Sequence, residues 1–283
     1  MRFVNVLNSC SKLQKGSKMN QEILETYFPG LLVKAEDREK CENYLKLKGI
    51  ERYSSLYFAI KDKTDKEIDY ELLSQHYRYD VKLRRALHKI IAFTEVAMRA
   101  AICNEYPNVV FTSRNWKSRI SNVMGKPFET GEALRKKISW YLQKLENEGK
   151  TNITLFDLLE NSDLQVLNAV FLMLDEDKQR EVFTNDFEHL KDNLDAMREL
   201  RNCVEHHQVL IIQKLKEVWI NGVQQSGLKA NVENIINISP KVAKANLKRL
   251  INDCLTIDEE QKRSKENTYQ LLPAFKVYFE DVE

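Results

Sequence analysis

An apolar stripe at helical spacing runs through residues 72–105 and constrains the fold of this chain more than any other feature. Its members recur at intervals of three and four, which places them on one side of an α-helix. The segment therefore predicts one long helix with a continuous buried face. A second stripe predicts another long helix within residues 176–220. The first stripe comprises Leu83, Leu87, Ile90, Ile91, Thr94, Met98, Ala101 and Ile102, and the second comprises Phe187, Leu190, Leu194, Met197, Val204, Ile211, Leu215 and Val218.

Residues that interrupt helices are scarce. The chain has 8 glycines and 5 prolines in 283 residues, too few for a turn-rich all-β protein. We therefore expect an all-α protein, built as a mostly helical bundle. Further helices are expected over residues 36–49, 132–149 and 153–174 and from Ser239 onward, with an inward-packing aromatic segment (Tyr53, Tyr57, Phe58) and irregular stretches over 107–131 and 221–227.

The overall charge does not favour any class of partner. Lysine and arginine number 44 against 42 acidic residues, so attraction to nucleic acid must come from local patches. Five dispersed cysteines without a CxxC pair indicate neither a disulfide framework nor a zinc site. The first residues lack the uninterrupted apolar core of a signal peptide, and no apolar run reaches about 18 residues. We expect a soluble protein of the cytoplasm that does not enter the membrane.

Two groups of basic residues are candidates for RNA contacts. Arg114, Trp116 and Lys117 mix charge with an aromatic ring, a combination that can hold single-stranded RNA. A solvated loop with one docked tryptophan is the favoured interpretation. Three lysines share a face of the expected C-terminal helix, which is read first as a solvated face and second as a phosphate-contacting one. They are Lys241, Lys244 and Lys248.

The stretch LRNCVEHHQ, residues 200–208, concentrates polar groups that could act on a phosphate. If the helix continues through it, His206 lies nearly opposite the core stripe beside Asn202, while His207 falls at the core edge. Val209 and Leu210 then lie away from the core, which indicates a second buried surface formed with a partner. Arg201 would sit about 140° around the helix from His206. Either the helix bends here or a second copy completes the site.

The opposite-charge pairs Asp80–Arg84 and Glu95–Arg99 lie on the flanks of the first long helix. We interpret both as ordinary helix-flank ion pairs, each contributing a few tenths of a kcal/mol.

The segment RNCVEHH resembles the R-x4-6-H motif of the HEPN superfamily of helical ribonucleases and nucleotide-binding proteins. YDVKLRRALHKIIAFTEVAMRAAI (79–102) is similar to the D-x-x-L-R...E-x-x-x-R helix of the bacterial Abi-like family, the abortive-infection proteins of AbiD and AbiF type. NYLKLKGIERYSSLYFAI (43–60) and ITLFDLLENSDLQVL (153–167) resemble further segments of that family in the same order, so the resemblance spans about residues 36–215.

The chain departs from the family pattern in three places. Glu205 stands where the family usually has alanine, and it either changes the acid–base behaviour of His206 or faces water. VLIIQ follows the motif in place of a Leu-Trp-Asn-like segment. The middle segment carries Thr154, Phe156 and NSD in place of the usual proline, tryptophan and glycine.

The resemblance implies a HEPN-like helical bundle over residues 21–220, with a flexible N-terminus (1–20) and a C-terminal helical extension (228–283). It implies a homodimer whose motif helices form one composite site, cleaving RNA in antiphage defence without a metal or other cofactor. Arg201, Asn202 and His206 would be the catalytic residues. His206 would transfer protons and Arg201 would clamp the phosphate.

Two other functions stay open at this stage. The chain could be a catalytically inactive HEPN module that binds RNA, such as an adjacent non-coding RNA, or a protein partner. It could also be a structural dimerisation protein whose motif is accidental. RNA cleavage by the wild-type protein separates the first function from both.

Overall fold

The structure is a computed structural model that describes residues 19–62, 67–183 and 186–238. Within these residues the chain is predominantly helical, as expected, with two small two-stranded antiparallel sheets, β1–β2 and β3–β4. Helices are α1 (Met19–Tyr27), α2 (Arg38–Lys48), α3 (Ile50–Lys61), α4 (Tyr70–Glu105), α5 (Trp116–Met124), α6 (Glu132–Asn147), α7 (Leu155–Glu160), α8 (Leu164–Phe171), α9 (Glu176–Val182), α10 (Leu190–Glu205) and α11 (Gly227–Ile238). Strands are β1 (Val110–Phe111), β2 (Ile153–Thr154), β3 (Val218–Ile220) and β4 (Val223–Gln225).

The first stripe forms the 36-residue helix α4, which confirms the long helix predicted over residues 72–105. Ile90, Met98 and Ile102 on this stripe are fully buried. Among the described residues, no helix combines the length and apolarity that crossing a membrane requires. Contacts divide the chain into two compact units, residues 1–79 and 80–283, with the division inside α4.

The first unit contains α1, α2, α3 and the beginning of α4. Gly49 ends α2 with a φ of 97°, a backbone conformation that favours glycine. Tyr53 and Tyr57 are buried as expected, and the Tyr53 ring stacks on Tyr77 with centroids 4.1 Å apart. Phe58 was expected to face inward and is instead 43% exposed.

Buried asparagines join the elements of the second unit around α10. Asn193 Nδ2 donates to the Trp219 carbonyl at 3.0 Å, and its Oδ1 accepts from the Trp219 N–H at 2.8 Å. Asn168 and Asn234 donate to the carbonyls of Leu194 and Asn193. Asn193 satisfies both backbone groups of Trp219, and together the three amides fix α8, β3 and α11 against one helix.

The predicted helices over 153–174 and 176–220 are each broken. Thr154 forms a capping box with Asp157 and begins α7, and the Asp163 side chain accepts from Gln165 and Val166 N–H groups to begin α8. These local caps offer the backbone an alternative to one continuous helix. The stretch 107–131, expected to be irregular, contains β1 and α5. The break expected over residues 221–227 contains the turn of the β3–β4 hairpin, strand β4 and the start of α11.

The expected boundary before residue 228 does not coincide with a break in packing. Leu228, Val232 and Ile235 of α11 are buried. Asn231 donates to the Lys216 carbonyl at 2.8 Å, and Asn234 holds α10 as described above. The part of α11 from residue 228 to residue 235 therefore packs into the second unit. At the other end of the chain, Met19 and Asn20 already form the start of α1, inside the N-terminus expected to be flexible.

Candidate functional site

The helix that carries the histidines ends at them. His206 caps α10, the His207 N–H bonds to the Val204 carbonyl and the Gln208 N–H bonds to the Cys203 carbonyl. This pairing, with His207 at a φ of 53°, is a Schellman motif. The left-handed conformation is uncommon for a non-glycine residue, although histidine is among those enriched there. The predicted continuous helix to residue 220 is therefore wrong. Residues 201–206 still follow helical geometry, because the His206 N–H bonds to the Asn202 carbonyl, so Arg201 and His206 remain about 140° apart around α10.

The end of α10 changes which residues are exposed. Asn202 and His206 face solvent, as expected for His206. His207 is also exposed, whereas it was predicted at the edge of the core. Val209 and Leu210 are 2% and 0% exposed, because the chain turns after α10 and buries them. The prediction that Val209 and Leu210 lie on a surface formed with a partner is therefore wrong.

Arg201 lies against a carboxylate supplied by α4. Its Nε is 3.4 Å from Oε1 of Glu95, whose other oxygen is 3.4 Å from the Arg99 guanidinium. The Glu95 side chain is only 13% exposed. Arg99 in turn donates to the Leu159 carbonyl and lies 3.8 Å from Glu160. Glu95 therefore pairs with Arg99 of its own helix and with Arg201 of α10, and it is not a solvated helix-flank residue.

Asp80 makes a buried pair with Arg84 at the start of the second unit. Asp80 Oδ2 accepts from Arg84 Nε at 2.7 Å, and Oδ1 accepts from the Leu210 N–H at 2.6 Å. The two side chains are 0% and 7% exposed. Burial raises the pKa of the Asp80 carboxyl, while Arg84 and the amides of Leu210 and Ile211 act in the opposite direction. The Asp80–Arg84 pair anchors the segment that follows RNCVEHH. The prediction that it is an ordinary helix-flank ion pair is therefore wrong.

Glu205 is 35% exposed and makes a contact with α4 that was not expected. Its Oε1 lies 2.7 Å from Nδ1 of His88 on α4. His88 did not stand out in the sequence, because a single histidine on a helix is usually structural. The contacts of α4 with the end of α10 run antiparallel: Asp80 with Leu210, His88 with Glu205 and Glu95 with Arg201.

The structure separates the RNA-contact candidates. Trp116 is 4% exposed, its indole N–H donates to Ser139 Oγ at 3.1 Å, and its ring packs edge-on against Phe128. A buried ring cannot stack on a base in this conformation. Arg114 and Lys117 are exposed, so phosphate contact by these two stays a prediction. Lys241, Lys244 and Lys248, like the helix expected from Ser239, lie outside the described residues.

The arrangement brings Arg201, Asn202 and His206 to the last turn of α10. An exposed imidazole can exchange protons with a ligand, and a guanidinium can bind a phosphate through its planar fork. In the described part of the chain, no three histidine, cysteine or acidic side chains are grouped to bind a metal ion.

The motifs on α4 and α10 fall within one family assignment. A family model described as Abi-like protein matches residues 40–211, and this range ends directly after Leu210, which Asp80 holds. No curated protein and no solved structure matches the chain significantly. The family match covers more than half of the 283 residues. The chain therefore belongs to the Abi-like family.

Proposed function

We propose that this protein is an endoribonuclease of abortive-infection defence that cleaves RNA in the cytoplasm without a metal ion. The observation that carries the proposal is the exposed last turn of α10, where Asn202 and His206 face solvent beside Arg201. Membership of the Abi-like family suggests the defence role. Residues that transfer protons and bind phosphate are what RNA cleavage requires.

The chemistry follows from these three side chains. The imidazole of His206 can take the proton of a 2′-hydroxyl or give one to a leaving 5′-oxygen. Arg201 keeps its charge and stabilises the additional negative charge of the transition state. Asn202, one turn before His206, orients the ring or binds the phosphate. Attack by the neighbouring 2′-oxygen leaves a 2′,3′-cyclic phosphate and a 5′-hydroxyl, and spares DNA.

A second copy of the chain is the partner that we propose for the site. Phe93 and Val96 on α4 are 51% and 60% exposed and lie three residues apart, hence on one face of the helix. Exposed apolar patches of this kind are typical of interaction surfaces. The same helix holds Arg201 through Glu95, so a copy docked along it would bring its own motif towards this one.

The dimer is tested by placing a charge on this surface. We expect wild-type protein to scatter light with twice the mass of the 33.3 kDa chain, and Phe93→Asp to shift it to the monomer, because a carboxylate is costly to bury in an apolar interface. Phe156→Asp is the matched control, since Phe156 is an equally exposed phenylalanine (57%) on α7. A wild-type monomer with and without RNA, or a dimer that survives Phe93→Asp, contradicts this proposal.

Cleavage is tested with labelled single-stranded RNA, and DNA of the same sequence, in the presence of EDTA. We expect the wild type to cleave RNA only and to leave cyclic phosphate ends. His206→Ala, purified in parallel, is expected to leave RNA intact, which excludes a contaminating nuclease. Cleavage that requires added magnesium, or full activity of His206→Ala, contradicts the mechanism.

An inactive RNA-binding module is the second candidate, favoured by one observation. Glu95 sits at ion-pair distance from Arg201 and competes with phosphate for its charge. That function predicts RNA binding by the wild type with no cleavage, and unchanged affinity in His206→Ala. The bound RNA, for example a neighbouring non-coding RNA, would then be a regulator.

A further inference from the structure

Glu205 and His88 form a pair that the proposed chemistry does not use. Nδ1 of His88 lies 2.7 Å from Glu205 Oε1, and the two side chains are 55% and 35% exposed. A carboxylate can only accept a hydrogen bond, so Nδ1 carries the proton in this contact. Nε2 is then the basic nitrogen of the neutral ring, and the exposure leaves the ring open to a ligand.

We infer that His88 is a second acid–base group of the RNA-cleaving site, held by Glu205 so that its Nε2 exchanges a proton with the substrate. The inference rests on the proposed function and extends it to a residue outside the motif. A carboxylate that fixes the tautomer and orientation of an imidazole is a recurrent arrangement at catalytic histidines.

The antiparallel contacts between α4 and α10 place this pair beside the motif. Glu205 directly precedes His206 in the chain, and the last turn of α10 carries both. Glu95, which contacts Arg201, follows His88 by seven residues on α4, about two helical turns or roughly 10 Å. The helix that positions the phosphate clamp therefore also supplies the second imidazole.

Two imidazoles complete the proton balance of the reaction. One neutral ring takes the proton of the 2′-hydroxyl as the bond from the 2′-oxygen to phosphorus forms. The other ring, protonated, gives its proton to the 5′-oxygen as the bond from phosphorus to that oxygen breaks. The products are a 2′,3′-cyclic phosphate and a 5′-hydroxyl, and exchange with water restores both rings. No oxidant, reductant or metal enters the balance.

The test measures single-turnover RNA cleavage in EDTA as a function of pH, using the full-length protein. We expect His88→Ala to slow cleavage by about 10²–10⁴-fold, to remove one limb of the pH–rate profile, and to recover part of its activity with added imidazole. Glu205→Ala should slow cleavage by about 10–100-fold, and Glu205→Gln, which keeps an acceptor for Nδ1–H, should lose less. Lys89→Ala, an exposed neighbour on α4, is the control and should cleave like the wild type.

Each outcome decides the inference. A His88→Ala protein that cleaves within about threefold of the wild type, while His206→Ala is inactive, overturns it and leaves the proposed function standing. A slow His88→Ala protein with an unchanged pH profile and no response to imidazole shows a structural role and also overturns it. Absence of cleavage by the wild type removes the proposed function and this inference together.

Discussion

Replacing Asp80 by alanine is expected to lower the free energy of unfolding of the unit that begins at residue 80 by about 3–5 kcal/mol. The Asp80 carboxylate is fully buried and accepts from both Arg84 and the Leu210 N–H. Its removal leaves the Arg84 guanidinium buried without this counter-charge and the amide of Leu210 without this acceptor. Thermal unfolding followed by circular dichroism should show a fall in Tm of roughly 6–20 °C.

An exposed pair of the same spacing provides the control for Asp80. Glu132 and Lys136 are also four residues apart, but their side chains are 72% and 76% exposed, so Glu132→Ala should change stability by less than about 0.5 kcal/mol. The double variant Asp80→Leu/Arg84→Met should recover most of the stability, because replacing both partners by apolar residues removes the unpaired charge. Equal Tm values for Asp80→Ala and Glu132→Ala would contradict the assignment of Asp80 as a buried anchor.

The sequence predicts α4 well because that helix is specified by purely local periodicity. The stripe from Leu83 to Ile102 has no glycine or proline to interrupt it, and the structure buries all of its members except Ala101. The sequence also indicates that Asp80 is buried, through its spacing from the apolar stripe. Asp80 precedes Leu83 by three residues and Leu87 by seven, and those spacings put it on the apolar face. A charged residue at such a position is buried only when it is paired.

The end of α10 could not be predicted from the same periodicity. No glycine or proline lies between Glu205 and Gly222, and the Schellman motif uses His207 in a left-handed conformation instead. Tertiary contacts select this turn, because Val209 and Leu210 are buried and Asp80 accepts a hydrogen bond from the Leu210 N–H. A contact between residues 130 positions apart leaves no local pattern in the sequence. The prediction that Val209 and Leu210 face away from the core was wrong for the same reason.

The contact between Arg201 and Glu95 was equally hidden from local reasoning. Glu95 and Arg99 have the spacing of a helix-flank pair, which is what the sequence suggested. Packing of α10 on the same face brings Arg201 within ion-pair distance of the Glu95 carboxylate, which also accepts a hydrogen bond from Arg99. Arg201 is therefore oriented before any ligand binds, and only 34% of its side chain is exposed. Preorganised donors of this kind stabilise transition states more than mobile surface arginines do.

Replacing Arg201 by alanine is therefore expected to slow RNA cleavage by about 10²–10³-fold. The protein should remain folded, because Glu95 keeps its contact with Arg99. Arg201→Lys should recover only part of the rate, since an ammonium group carries the charge without the planar fork that matches phosphate. The measurement is the single-turnover rate in EDTA, with protein in excess over RNA and at concentrations above the dissociation constant, which separates chemistry from binding.

Arg198, one turn earlier on α10, is the matched control for Arg201. It carries the same guanidinium, and its Nε lies 3.7 Å from Asp195 instead of from a carboxylate of α4. Arg198→Ala should cleave RNA at nearly the wild-type rate, because we expect the rate to depend on the guanidinium of Arg201 and not on the total positive charge of α10. If both alanine variants lose activity equally, the helix contributes only general positive charge, and the clamp is not Arg201. If Arg201→Ala weakens RNA binding while the bound rate stays unchanged, Arg201 binds the ground state, and the charge of the transition state must be stabilised by other groups.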